Sequence, residues 1–245
     1  MSDKFEAAIA KLGSVGLNLF ASEKISSLSK EIQNYLIQNS IDFDQNDSII
    51  LIANGGRELW KHLAHPLDED KDPIDNFAIE AMKDFGLRAF GGDFKILFPL
   101  TTYLLPLQKL GRELNMSRPS PLGLDINNEY GVWFAFRGVM ITKQSIPTIK
   151  PNVFDSPCLS CTSLECIKAC PVSAVHLEIP FDLKSCGEYR FSQNSQCADR
   201  CLSRLSCPYK VEHRYELVQT QFHMGRSRHL KSFKHHVNTT TYKTK

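Results

Sequence analysis

All the cysteines of this chain, eight among 245 residues, lie between positions 158 and 207. The first group reads Cys158-x2-Cys161-x4-Cys166-x3-Cys170-Pro171, and the second reads Cys186, then Cys197-x3-Cys201-x5-Cys207-Pro208. Gaps this short let one tight loop bring three thiolates to a small inorganic object, with a fourth arriving from elsewhere in the fold. The few residues between them curl backbone amides toward the sulfurs, where those amides stabilise anionic charge and help set a reduction potential. Proline after the last cysteine of each group removes a backbone donor and turns the chain away. Eight cysteines meet the demand of two 4Fe–4S cubanes at four thiolates each.

Two other uses of cysteine compete. Disulfides belong to oxidising compartments, whereas the N-terminal stretch MSDKFEAAIAKLGS has no apolar segment and no small-residue cleavage site. The expectation is therefore a reducing cytoplasm. Structural zinc uses Cys-x2-Cys pairs, but in two separated pairs, and here four cysteines crowd the span from Cys158 to Cys170.

Composition excludes little else. Hydrophobic residues make up 42% and charged residues 23%, the balance of an ordinary globular chain with a real core. No apolar run approaches membrane-spanning length. A formal net charge of +2 gives no indication of nucleic acid, and each oxidised cubane with its thiolates would shift the balance by about two negative charges.

The cysteine-free part mixes two periodicities. Lys4–Leu12, Ser26–Gln38, Arg57–His65, Pro73–Asp84 and Leu105–Leu114 read as helices. Val15–Phe20, Ile49–Ala53, Lys95–Leu100 and Tyr130–Thr142 read as strands, the last carrying Val132, Phe134, Phe136, Val139 and Ile141. Asn54-Gly55-Gly56 turns a strand into a helix, and Gly91-Gly92-Asp93 is a loop. Ser145–Pro151 is a proline-bearing connector. Beyond it, short strands, turns and brief helices are expected, with one helix near Leu164–Ala169.

Cys158–Val175 (CLSCTSLECIKACPVSAV) resembles bacterial-type ferredoxin domains. Tyr130-Gly131-Val132-Trp133-Phe134-Ala135-Phe136-Arg137-Gly138-Val139 is similar to the G-x-W-F-A-x-R-G-V stretch of the cobalamin-processing CblC family. A nitroreductase-like α/β domain followed by a ferredoxin domain is the layout of epoxyqueuosine reductases and reductive dehalogenases. The chain also resembles a group of short bacterial 4Fe–4S ferredoxins through Asn54–Trp60, Asp72–Asp75, Ser120–Leu124, Tyr130–Gly138 and Phe222-His223-Met224, over residues 45 to 225. The second cysteine group is looser than a ferredoxin repeat, and the chain has no Asp-x-His-x-x-Gly cobalamin box. The acidic catalytic segment typical of epoxyqueuosine reductases is not found either.

These resemblances imply an α+β fold. A nitroreductase-like α/β pocket domain would span 1–145, a small ferredoxin-like 4Fe–4S module 146–212, and a basic C-terminal tail 213–245. Ferredoxin topology implies crossed ligation, with Cys158, Cys161, Cys166 and Cys207 on one cluster and Cys170, Cys186, Cys197 and Cys201 on the other. The leading expectation is a ferredoxin-type electron-transfer protein with one or two 4Fe–4S clusters and a redox partner protein. The alternatives are a cobalamin- or tetrapyrrole-linked reductase fed by the clusters, with a corrinoid or other small molecule as ligand, and a zinc-stapled binding module.

Individual residues carry two readings each. In the CblC family the arginine matching Arg137 lies in the pocket where a thiol cosubstrate binds, so Arg137 can hold a carboxylate or phosphate bidentately, or else form a buried ion pair with Asp125 or Glu129. Gly55 and Gly56 can seat a phosphate or simply make a tight turn. Trp60, Trp133, Phe134 and Phe136 line a flat-cofactor pocket or fill the core. His176 is close to Cys170 but superfluous beside eight thiols. His213, His223, His229, His235 and His236 punctuate the basic stretch with Arg226, Arg228, Lys231 and Lys234, either a solvated terminus or a dock for an acidic redox partner.

Overall fold

The computed structural model describes residues 2–63, 72–100 and 102–225. Its centre is β2 (Ser48–Gly55), buried along its whole length because SIILIANG is apolar on both faces. Ahead of it come α1 (Ser2–Ser14), β1 (Leu19–Lys24) and α2 (Lys30–Gln38). After it come α3 (Glu58–His62), α4 (Pro73–Phe90), β3 (Lys95–Phe98), α5 (Leu107–Glu113), the two-residue strands β4 (Arg118–Pro119) and β5 (Asp125–Ile126), and β6 (Phe134–Thr142). The main sheet runs β1-β2-β6-β3, every neighbouring pair antiparallel.

Alternation along β2 builds two cores. Ile49, Leu51 and Ala53 face α2 and α5, meeting Ile32, Leu36 and Leu110. Ile50 and Ile52 face α1 and α4, meeting Phe5, Leu12, Ala78, Met82 and Phe85. The result is a mixed α/β sandwich with helices on both sides of a small antiparallel sheet.

Several boundaries differ from the sequence reading for local reasons. β1 starts at Leu19 rather than Val15, because 15–17 close α1 through Val15 N–H and Leu17 N–H to the Leu12 carbonyl. Its polar half, Ser22 and Glu23, masks the strand. α2 starts at Lys30, capped by the Ser29 hydroxyl, after a separate turn of 3-10 helix. α4 runs on to Phe90, where Gly91 at φ 62° ends it. Residues 64 and 65 of the helix expected over Arg57–His65 lie outside the described residues.

The larger correction concerns the second half. The short strands expected among the cysteines do not form within the described residues. That region is loops with α6 (Glu165–Lys168), α7 (Leu183–Phe191), α8 (Leu202–Leu205) and α9 (Leu217–Met224). Its backbone is organised around sulfur atoms rather than a ladder. Nor do residues 213–224 form a solvated tail: Gln219 and Thr220 of α9 are buried, and Phe222 packs on Trp60 at 5.5 Å between ring centroids. Among the described residues no helix is long and apolar enough to cross a membrane.

The connector is stitched to the sheet edge. Ser22 and Ile149 exchange backbone hydrogen bonds of 2.8 and 3.0 Å. Glu23 binds Lys150 Nζ at 2.7 Å and accepts from the Thr148 hydroxyl at 2.9 Å. Burial acts to raise the Glu23 pKa, but Lys150, the Lys24 N–H and Thr148 outweigh it and hold the carboxyl below its ordinary 4.5. A depressed carboxyl stabilises the fold above its unfolded pKa and loses that contribution only as pH falls through the folded value. Glu23→Gln is therefore expected to cost about 1–2 kcal/mol. Denaturant unfolding should find the same deficit at pH 5 and pH 8.

Candidate functional site: two thiol quartets beside a cavity

The cysteine region docks on the segment that leads into β6. Arg204 donates to the Val132 carbonyl at 2.6 and 3.1 Å and lies over the Trp133 ring at 4.9 Å. The Tyr209 hydroxyl donates to the Asn128 carbonyl at 2.9 Å, and Arg118 Nε to the Phe154 carbonyl at 2.9 Å. Trp133, Val175, Cys207 and Tyr215 share a buried cluster against which Cys158, Cys166 and Cys170 pack.

The thiols influence one another in two sets. Burial pushes the Cys166 thiol up to about 11, and Cys207, Cys158 and Cys161 push it further the same way. Cys158 is raised by burial and then by Cys207 and Cys161. Burial pushes Cys186 up to about 12, with Cys201, Cys170 and Cys197 adding to it. Cys197 is raised by burial and by Cys201 and Cys170. These influences run within the two sets that the crossed ligation expected above would use, Cys158, Cys161, Cys166 and Cys207 in one quartet and Cys170, Cys186, Cys197 and Cys201 in the other. All eight are free thiols. Among the described residues no three His, Cys, Asp or Glu side chains close round a single point as one metal ion needs.

The loops around the sulfurs have a recurrent shape. The third residue after Cys161, Cys170 and Cys207 is left-handed in each case: Leu164 (φ 49°), Ser173 (φ 49°) and Lys210 (φ 56°). Non-glycine residues adopt that region reluctantly. A right-to-left-handed backbone turn points successive N–H groups into one concavity, the nest that surrounds phosphates and iron–sulfur clusters. Here the Ala174 N–H reaches Cys170 Sγ at 3.2 Å and the Arg204 N–H reaches Cys201 Sγ at 3.4 Å. The Ser163 hydroxyl and the Leu164 N–H lower Cys161, whereas at Cys197 and Cys207 backbone N–H groups offset only part of the burial that raises them.

The donor set fits an iron–sulfur group. Four thiolates per set satisfy a cubane. Trp133 Nε1 and the Tyr215 hydroxyl, both buried in the cysteine-packed cluster, have no hydrogen-bond acceptor among the described residues. Buried donors are nearly always satisfied, so an acceptor that is not a protein atom suits them.

One quartet also faces a cavity. A half-open cavity of about 790 Å³ is lined by Cys170, Cys186, Cys197 and Cys201 and by Phe134, Phe136 and Arg137 of β6. Leu107, Leu122, Leu124 and Phe181 supply apolar wall. None of Cys158, Cys161, Cys166 or Cys207 lines it.

Arg137 owes its position to a β-bulge. Ile52 pairs with Gly138 and Ala53 with Phe136, so Arg137 is the extra residue and leaves the alternation of β6. Its Nε donates to Asn54 Oδ1 at 2.6 Å. Burial lowers its pKa, only partly opposed by Tyr215 and Asp75. The proposed ion pair with Asp125 does not form: Asp125 is held by Arg112 at 2.5 Å and by the Ser117 hydroxyl at 2.6 Å. Among the described residues no ion pair engages Arg137. It keeps partial contact with the cavity while its charge sits deep in the wall.

The other candidates resolve as follows. Gly55 packs under the Tyr130 ring, where an added Cβ would lie 2.2 Å from the nearest ring atom, and the Gly56 N–H is spent on the Trp133 carbonyl at 2.8 Å. The pair is a tight turn, not a phosphate seat. Trp60 and Trp133 are core, while Phe134 and Phe136 serve both core and cavity wall. His176 is half-buried and acts on Asp182 rather than on a thiol. His213 stacks on Tyr130 at 4.6 Å, and His223 lines the cavity and packs on Tyr215 at 5.5 Å. His229, His235, His236, Arg226, Arg228, Lys231 and Lys234 lie outside the described residues. The sequence reading missed Tyr215, Trp133 Nε1 as an orphan donor, and Arg190, Arg200 and Arg204 in the cavity wall.

The sequence matches no protein-family model and no curated protein. Solved structures are informative. The chain is similar to epoxyqueuosine reductase from Streptococcus thermophilus, with a TM-score of 0.54 and 15% identity over 86% of this chain and 66% of that one. It is similar to epoxyqueuosine reductase from Bacillus subtilis at a TM-score of 0.56, with 15% identity and the same coverage. A B12-trafficking protein CblC from C. elegans gives a TM-score of 0.51 at 13% identity, covering 94% of this chain and 96% of that one. At these identities the likeness is one of fold. The chain spans just under two thirds of the length of the two reductases.

Proposed function

We propose that this protein is an oxidoreductase in which the two thiol quartets hold 4Fe–4S centres and the adjoining cavity takes a cobalamin or related tetrapyrrole reduced through them. The observation that carries this reading is the shared wall. The quartet of Cys170, Cys186, Cys197 and Cys201 and the half-buried Arg137 line one cavity of cofactor-accommodating size. A free-standing electron carrier needs an exposed cluster edge and has no use for an apolar chamber beside it. The fold likeness to epoxyqueuosine reductases and to a B12-trafficking protein supports the same reading. It favours the cofactor-linked reductase over the ferredoxin-type carrier.

In this reading residues 1–145 form the pocket side and 146–212 the iron–sulfur side. The apolar wall of Leu107, Leu122, Leu124 and Phe181 covers the body of the ligand and excludes water. Arg137 holds a phosphate or amide oxygen at its rim. A corrinoid, when bound, supplies low-potential cobalt chemistry that the protein side chains lack. The second quartet, outside the cavity, is the side toward a redox partner protein.

Anaerobic purification followed by iron, sulfide and corrinoid assay tests the proposal. The expected result is about eight irons and about eight sulfides per chain, with one corrinoid retained after incubation with hydroxocobalamin. Iron and sulfide without corrinoid binding would restore the electron-carrier reading. A colourless zinc protein would leave a stapled binding module.

A further inference from the structure

We infer that Arg190 sets the reduction potential of the cavity-side centre: its buried guanidinium stabilises the more negative, reduced state of a cluster held by Cys170, Cys186, Cys197 and Cys201. The inference rests on the iron–sulfur reading given above and adds to it a named electrostatic control.

Arg190 lies on α7 four residues after Cys186, so a ligand and a cation share one helix face. Only 8% of it is exposed, and it lines the same cavity as the quartet. Its Nη2 donates to the Met224 carbonyl at 2.9 Å, which ties the guanidinium to the end of α9. Burying a guanidinium costs several kcal/mol, and such a group is retained where an anion offsets that cost. The anion is at hand, because Cys186 lies one turn earlier on the same helix and Cys170, Cys197 and Cys201 line the same cavity.

Arg200, also on this wall, is paired with Asp199 at 2.7 and 3.0 Å, and Asp125 with Arg112. Adding one electron to a cubane makes it one unit more negative, and a fixed cation in a poorly screened interior favours that state. The electron comes from an external low-potential reductant, and no bond forms or breaks.

An anaerobic redox titration with dithionite, followed by electron paramagnetic resonance, tests this. Iron and sulfide are assayed first on the unaltered protein. Absence of both overturns the iron–sulfur reading and this inference with it. With the centres present, Arg190→Gln should move one midpoint negative by at least a tenfold change in the reduced-to-oxidised ratio at fixed potential, about 59 mV for one electron. The other midpoint should stay in place, and Arg190→Lys should keep both. Arg190→Met, which retains aliphatic bulk without charge, gives the same reading where the glutamine variant loses iron. Loss of the cavity-side centre in both neutral variants would show that Arg190 holds the site together rather than setting its potential, and would overturn the inference. Unmoved midpoints in the neutral variants, or a lysine variant as perturbed as they are, would overturn the role of charge.

Discussion

Cys170→Ser is expected to remove about half of the iron, and the same half that Cys186→Ser removes. Position in the chain argues otherwise, since Cys170 lies four residues after Cys166 and sixteen before Cys186. The cavity argues for the crossed pairing: Cys170, Cys186, Cys197 and Cys201 all line it, and Cys158, Cys161, Cys166 and Cys207 do not. Serine oxygen is a poor, hard substitute for a soft thiolate on iron. The double variant Cys170→Ser/Cys186→Ser should therefore keep about four irons, while Cys166→Ser/Cys186→Ser should keep almost none. Iron per chain after anaerobic purification checks this. Retention of half the iron in Cys166→Ser/Cys170→Ser would show that ligation follows the local run instead.

Arg137→Met is expected to weaken binding of hydroxocobalamin by about 10- to 100-fold, the loss of one charge-assisted hydrogen-bonding group. The unliganded fold should change little, because relief of the charge's desolvation offsets the lost bond to the buried Asn54. The charge of Arg137 sits in the cavity wall, its Nε donates to the neutral amide of Asn54, and no ion pair engages it among the described residues. Removing a desolvated charge of that kind is neutral or slightly stabilising. A structural arginine would show the opposite pattern, with denaturant stability falling and ligand affinity unchanged. Absorbance titration of the corrinoid and urea unfolding of the same preparations distinguish the two.

The layers of the fold were legible where periodicity was strong. Ile49–Ala53 announces a strand buried on both sides, and Ile32 and Leu36 announce the inner face of α2. β1 was legible only in part, read over Val15–Phe20, because Ser22 and Glu23 look like loop residues until the connector at 147–150 is seen to satisfy them. The bulge was present in the spacing: Phe134 and Phe136 alternate, then Val139 and Ile141 alternate, with a gap of three between the pairs. That gap is the mark of an extra residue, and the extra residue is Arg137. Around the cysteines, spacing suggested a ligand set but not the architecture. Left-handed Leu164, Ser173 and Lys210 carry no sequence signal, since glycine would be the residue to suggest such turns. Tyr215 and Arg190 were invisible for a different reason. Their roles come from burial beside sulfurs that only the tertiary fold brings near.

The central claim is that the eight thiols divide into two inorganic centres, one of them facing the cavity. Anomalous diffraction at the iron edge from anaerobically grown crystals tests it most directly. Two iron peaks are predicted, one among Cys158, Cys161, Cys166 and Cys207 and one among Cys170, Cys186, Cys197 and Cys201 against the chamber that Arg137 lines. Absence of an iron peak at either quartet, or a zinc-edge signal in its place, would contradict the account.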